Sequence, residues 1–258
     1  MSDERDDDLY VGYLPSAPVA VARTIRRSVA VLFSAIALLA LGLAVAQSRA
    51  DARVFEFTES RDLVGRIEAG AIPQLVVPRP GVGAGVSRYP LVAAGKHGAA
   101  SIVAGLDGKL VGVRGKLIYR GEQTLLEIEP ESLQVLAEGG PTGGGEISDL
   151  GRFALRGEIV DSKCHFGVMN PGEGKPHRAC AVRCISGGAP PVLRVTQADG
   201  RARYFYLTGE DGRAIGPELL DFVAEPVEIS GHVERHDALY VLRAEPAAIR
   251  RLGEKETR

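Results

Sequence analysis

VGVRGKLIYRGEQTLLEIEPESLQVL, Val111 to Leu136, is matched 116 residues later by VEISGHVERHDALYVLRAEPAAIRRL, Val227 to Leu252. Each opens on branched residues that alternate with polar ones and keeps a glycine at the same place, Gly115 and Gly231. Each then turns at a polar tetrapeptide and closes on Glu-Pro. Alternation with a period of two marks half-buried strands, and the short polar break between two such runs marks a hairpin. A spacing held over a whole hairpin is the signature of a tandem duplication, and it predicts a β protein built twice.

Outward from this pair, residues 54–136 read as the first copy. VFEF, DLVGRIE, PQLVV, KLVGVRGKLIY and QTLLEIE are short strand candidates separated by Gly, Pro and Asp. AEGGPTGGGEISD follows, and residues 137–150 are expected to be a Gly-rich linker. Residues 151–252 read as the second copy, with strands FALRGEIV, PVLRVT, ARYFYLT, PVEISGHVE and ALYVLRA. GPELLDFV, between the third and fourth of these, supplies a short helix whose Leu219, Leu220 and Phe222 face inward. Five strands with a helix between the third and fourth is the order of an OB-type barrel. Two shorter matches support the duplication: VGRIEAG at Val64 with RGEIVDS at Arg156, and GKHGAA at Gly95 with CISGGA at Cys184.

Ahead of the barrels, Ser28 to Ala46 carries no charge. Nineteen helical residues are long enough to cross a hydrocarbon core. Arg23, Arg26 and Arg27 precede the run, which favours a cytoplasmic tail (residues 1–27), a transmembrane helix (28–46) and barrels on the far side. The expected location is the bacterial inner membrane, single-pass, with the C-terminal domains in the periplasm. Ala44-Val45-Ala46 also fits a cleaved signal peptide, which exports the same remainder. In the tail, Tyr10, Tyr13 and Leu14 are candidates for contact with a membrane protein partner.

Composition excludes several classes. A net charge of -2 leaves no electrostatic footprint for nucleic acid, and 5% aromatic content without Trp argues against a stacking platform. No Ser-His-Asp set or paired-carboxylate site is visible, so the chain reads as a protein that is not an enzyme by itself.

The chemistry concentrates in GEIVDSKCHFGVMNPGEGKPHRACAVRCISGGAPP, Gly157 to Pro191, which holds all three cysteines and two of the five histidines. Pro176 can open a helix and Gly187-Gly188 can close it, so His177, Cys180 and Cys184 fall at i, i+3 and i+7 on one face. Cys164, at the end of the preceding strand, can be brought opposite that face. Three thiolates and an imidazole suffice for a tetrahedral site for zinc, copper or iron, all soft enough to suit sulfur. His165 is a weaker candidate ligand, and Asp161 a candidate acceptor orienting one. In an oxidising compartment Cys164 can instead pair with Cys180 or Cys184, leaving one thiol that a nearby arginine would make reactive. A redox-active thiol pair is the third reading. His97, at the turn matched to Cys184, is expected on the surface.

At these residues the chain resembles a family of exported bacterial proteins whose small β-barrel domain carries G-x-V-x-D-x-x-C and C-x-x-x-C-x-x-G-G. The resemblance covers about forty residues closely, and it implies that Cys164, Cys180 and Cys184 belong together, with His177 beside them. The ligand set alone is also similar to that of periplasmic copper chaperones. The expectation is a membrane-anchored periplasmic accessory subunit holding a metal or redox centre for a respiratory or oxidoreductase assembly. The alternatives are a disulfide-stapled interaction module and a thiol oxidoreductase.

Overall fold

The computed structural model describes residues 18–48, 53–81, 85–139 and 145–253. The chain divides into an N-terminal unit and a compact unit from Ala52 to Arg258. The first is a helix, α1 (Val19–Ser48), whose apolar stretch Val19–Val45 is exposed all round. A helix apolar on every side has no core of its own to enter, and this one is long enough to cross a membrane. It begins nine residues before Ser28, taking in the arginines that the sequence reading places in the tail. Tyr10, Tyr13 and Leu14 lie outside the described residues.

The second unit is mainly β and contains two five-stranded barrels. The first copy runs β1 (Arg53–Phe55), β2 (Arg61–Glu68), β3 (Gln74–Pro78), β4 (Val86–Ala93), β5 (His97–Gly98), β6 (Leu110–Arg120), β7 (Gln123–Ile128) and β8 (Gln134–Ala137). Its barrel closes in the order β2-β3-β4-β7-β6-β2, antiparallel except for the β4–β7 pair. The second copy runs β9 (Ile147–Asp161), β10 (Pro191–Thr196), β11 (Ala202–Thr208), β12 (Pro226–His236), β13 (Leu239–Arg243) and β14 (Ile249–Arg251). It closes as β9-β10-β11-β13-β12-β9, again with one parallel pair, β11–β13. A 3-10 helix, Pro217–Phe222, joins its third and fourth strands where GPELLDFV predicts a helix, with Leu219 buried. β8 and β9 approach the Gly-rich stretch from either side, and residues 140–144 within it lie outside the described residues.

Pair by pair, the two barrels superimpose on the sequence repeat. Gly65 pairs with Val111 and Gly157 with Val227; Ile67 pairs with Leu75 and Ile159 with Leu193; Leu91 pairs with Leu126 and Leu207 with Leu242. One inward layer is therefore written twice, and its apolar side chains are buried in both copies. Burying each such side chain contributes roughly 1.5–3 kcal/mol, so the layer is the main reason for closure. The glycines mark where strands bend into close approach. A Cβ on Gly115 would run into the backbone of Glu127, and one on Gly231 into the equivalent Arg243. The hairpin turn repeats too: Gly121 and Asp237 both take positive φ, at 56° and 54°.

One expected match fails. GKHGAA follows the third strand of its barrel, whereas CISGGA lies between the first and second strands of the other. The first-to-second strand joint is residues 69–73 in one copy and 162–190 in the other. Similar glycine content, not common position, produced that resemblance. A third cluster joins the barrels, with Ile72, Val92, Ile118 and Leu125 of the first against Val160, Phe166, Val192 and Tyr206 of the second.

A candidate metal centre between the barrels

The long joint of the second barrel starts at Asp161, the last residue of β9. One Asp161 oxygen accepts the Cys164 backbone N–H at 2.6 Å and so caps a wide turn, Cys164–Val168, closed by the Met169 N–H on the Cys164 carbonyl at 3.0 Å. The chain then crosses to a 3-10 turn, Lys175–His177, and enters α2 (Arg178–Ser186). The second Asp161 oxygen accepts from His177 Nε2 at 2.7 Å, with both side chains at 0% exposure. A single buried carboxylate thus pins both cysteine-bearing segments. His177 sits just ahead of the α-helix, not on its first turn as the spacing predicts, because the helix starts two residues past Pro176.

Cys180 and Cys184 are one turn apart on α2, and Cys164 faces them. The three sulfurs lie within 4.8 Å of one another, close enough to hold one metal ion. Cys164 and Cys184 are buried and their sulfurs are 3.4 Å apart; Cys180 is half-buried. The hydrogen bond from Cys184 lowers Cys164 to about 6, while the same contact and burial push Cys184 up. Burial also raises Cys180, against the pull of a neighbouring lysine.

That lysine is Lys96, on the β4–β5 turn of the other barrel. Its Nζ donates to Cys180 Sγ at 2.7 Å and lies 3.8 Å from both Cys164 and Cys184 Sγ. The hydrogen bond to Cys180 raises its own pKa, keeping it an ammonium. The turn is fixed from both sides. Buried Lys163 donates to the Ala93 and Gly95 carbonyls at 2.5 and 2.6 Å and pairs with Glu127. Gly98 N–H donates to the Gly187 carbonyl at 2.9 Å, and a Cβ on Gly187 would overlap the Lys96 carbonyl. His97 is exposed.

The two histidines part company. His165 is buried and not brought to the sulfurs. Its Nδ1–H donates to the Gly172 carbonyl at 2.7 Å, and its Nε2 accepts from Arg120 at 2.8 Å. Burial and then the Arg120 charge lower it to about 3, so the ring is neutral and both nitrogens are engaged. His177 also stands outside the 4.8 Å sulfur group, but its Nδ1 has no hydrogen-bond partner among the described residues. With its Nε2–H given to a carboxylate, a neutral His177 keeps a lone pair on Nδ1, the arrangement by which carboxylates orient ligating imidazoles. Chemically, the sulfurs can take up a soft cation as thiolates, exchange disulfides, or share a thiolate; three sulfurs within 4.8 Å of one another suit a soft cation.

The sequence reading singles out the cysteines and His177 by spacing and names Asp161 as a candidate acceptor; the three sulfurs come together, and His177 stands outside their group on Asp161. The same reading misses Lys96, Lys163 and Arg120, whose signal is a packing between barrels that no local pattern carries. No family model matches the chain and no curated protein is detectably similar, so the chemistry rests on the site's own atoms.

Proposed function

We propose that this protein is a membrane-anchored accessory subunit that holds a soft metal ion, zinc, copper or iron, on Cys164, Cys180 and Cys184, with His177 Nδ1 as the fourth candidate donor. The observation that carries this is the gathering of three sulfurs from two separate segments within 4.8 Å. Asp161 then acts behind the ligands, capping the Cys164 turn and orienting His177. α1 supplies the anchor; the Arg bias ahead of it favours barrels in the periplasm, and a soft-cation site on an anchored chain suits a part in a respiratory or oxidoreductase assembly. Among the marker residues of the family resemblance, Gly157 and Gly187 lie where the backbone approaches closely, Gly188 takes a φ of 92°, and Asp161 caps the Cys164 turn, in keeping with these roles.

The test is metal content of the purified full chain, by elemental analysis, alongside its thiol count. The expected result is one metal per chain, lost in Cys180→Ser. Substoichiometric metal that Cys180→Ser leaves unchanged would sink the reading.

The 3.4 Å approach of Cys164 and Cys184 favours a second reading, a disulfide between them with Cys180 as a spare thiol beside Lys96. Mass spectrometry of unreduced protein separates the two, because a bridge removes two hydrogens and leaves one alkylatable thiol. A thiol oxidoreductase would further require the purified protein to reduce or oxidise a test disulfide.

A further inference from the structure

The sulfur cluster already faces a cation, and that cation belongs to the other barrel. The Lys96 ammonium spans all three sulfurs, nearest to Cys180, the one cysteine that is not fully buried. An ammonium has three donors and no lone pair, so in this state it is a counter-ion and cannot be a ligand. Two positive charges cannot share a seat only a few ångströms wide. The backbone on either side of Lys96 is held by Lys163 and by the Gly98–Gly187 contact, so the side chain, not the turn, is the part free to leave.

We infer that Lys96 is the resident counter-ion of an exchangeable soft-cation seat, expelled when metal enters past Cys180 and returning when metal leaves. The inference rests on the metal reading above and deepens it: the seat loads and unloads, where a permanent structural metal would need no substitute cation. It also makes Lys96 a determinant of affinity contributed by the barrel that lacks cysteines.

The experiment uses the full chain in detergent under anaerobic conditions, with zinc(II) or copper(I) titrated against a chromophoric chelator. Lys96 acetylation by a brief acetic anhydride pulse is read by mass spectrometry, with exposed Lys175 as the internal control. Metal is expected to raise Lys96 labelling several-fold over Lys175. Lys96→Met is expected to bind metal about tenfold more tightly, through loss of one charge-assisted contact that metal must otherwise break, and Lys96→Arg is expected to gain nothing. Metal binding only in Lys96→Met would overturn the inference, because the wild-type lysine is then never displaced. Metal held by the sulfurs, as shown by its loss in Cys180→Ser, with Lys96 labelling and Lys96→Met affinity unchanged, overturns this inference and leaves the metal reading standing. Absence of binding in both wild type and Lys96→Met overturns both. Should Lys96→Met fail to fold, the wild-type labelling decides alone.

Discussion

Asp161 carries two jobs on two oxygens, and the removal of either should be visible. Asp161→Asn keeps the size but turns one acceptor into a donor facing His177 Nε2 or the Cys164 N–H, which leaves a buried polar group unpaired. Breaking a buried pair from one side costs about 3–5 kcal/mol, and loss of a group that orients a ligand typically costs 10–100-fold in metal affinity. A drop in denaturant midpoint together with weakened metal binding is expected; weakened stability with unaltered metal affinity would remove Asp161 from the site. His165 gives a pH prediction at the same scale. Its folded value, about 3, lies below the unfolded value of about 6.5. Between those limits only the unfolded chain takes up the proton. Its contribution is therefore complete above about pH 6.5 and falls as pH drops, by up to about 1.4 kcal/mol per unit. Urea titrations from pH 7 to 4 should show a steeper loss in wild type than in His165→Gln, and parallel curves would contradict the account.

Among the elements, α2 and the β4–β5 turn depend on the absence of a side chain between them. Gly187→Ala sets a methyl group on the Lys96 carbonyl, and overpacking of that kind costs about 1–3 kcal/mol. The melting temperature should fall and Cys180 should react more slowly with an alkylating reagent, because withdrawal of Lys96 removes the charge that favours its thiolate; an unchanged Cys180 rate would mean the turn does not act on the sulfur. This level also shows what the sequence could disclose. The hairpin pair 111–136 and 227–252 was legible because every inward residue recurs at the same offset, from Val111 and Val227 to Leu126 and Leu242. Cys180 and Cys184 were legible from helical spacing. The match between the turns at Gly95 and Cys184 misled, because glycine is chosen for close approach as readily as for common ancestry, and here the two turns lie at different joints yet touch. Lys96 was illegible for the same reason: its partners are 68 to 88 residues away, on another barrel.

In the whole molecule, the barrels share a buried cluster and a buried Arg120–His165 hydrogen bond, so the unit from Ala52 to Arg258 should unfold as one. Phe166→Ala removes a fully buried ring from that shared cluster, at a cost of about 3–5 kcal/mol. Hydrogen exchange should then report weaker protection in strands of both barrels; loss confined to the second barrel would show that they fold independently. The unit is also what makes the site, since sulfur comes from one barrel and the counter-charge from the other. X-ray absorption at the edge of the bound metal, on the full chain after loading, tests this most directly. The account predicts three sulfur scatterers per metal, at about 2.3 Å if the metal is zinc, and their loss in Cys180→Ser. A spectrum of nitrogen and oxygen scatterers alone, or one that Cys180→Ser leaves unchanged, would contradict it.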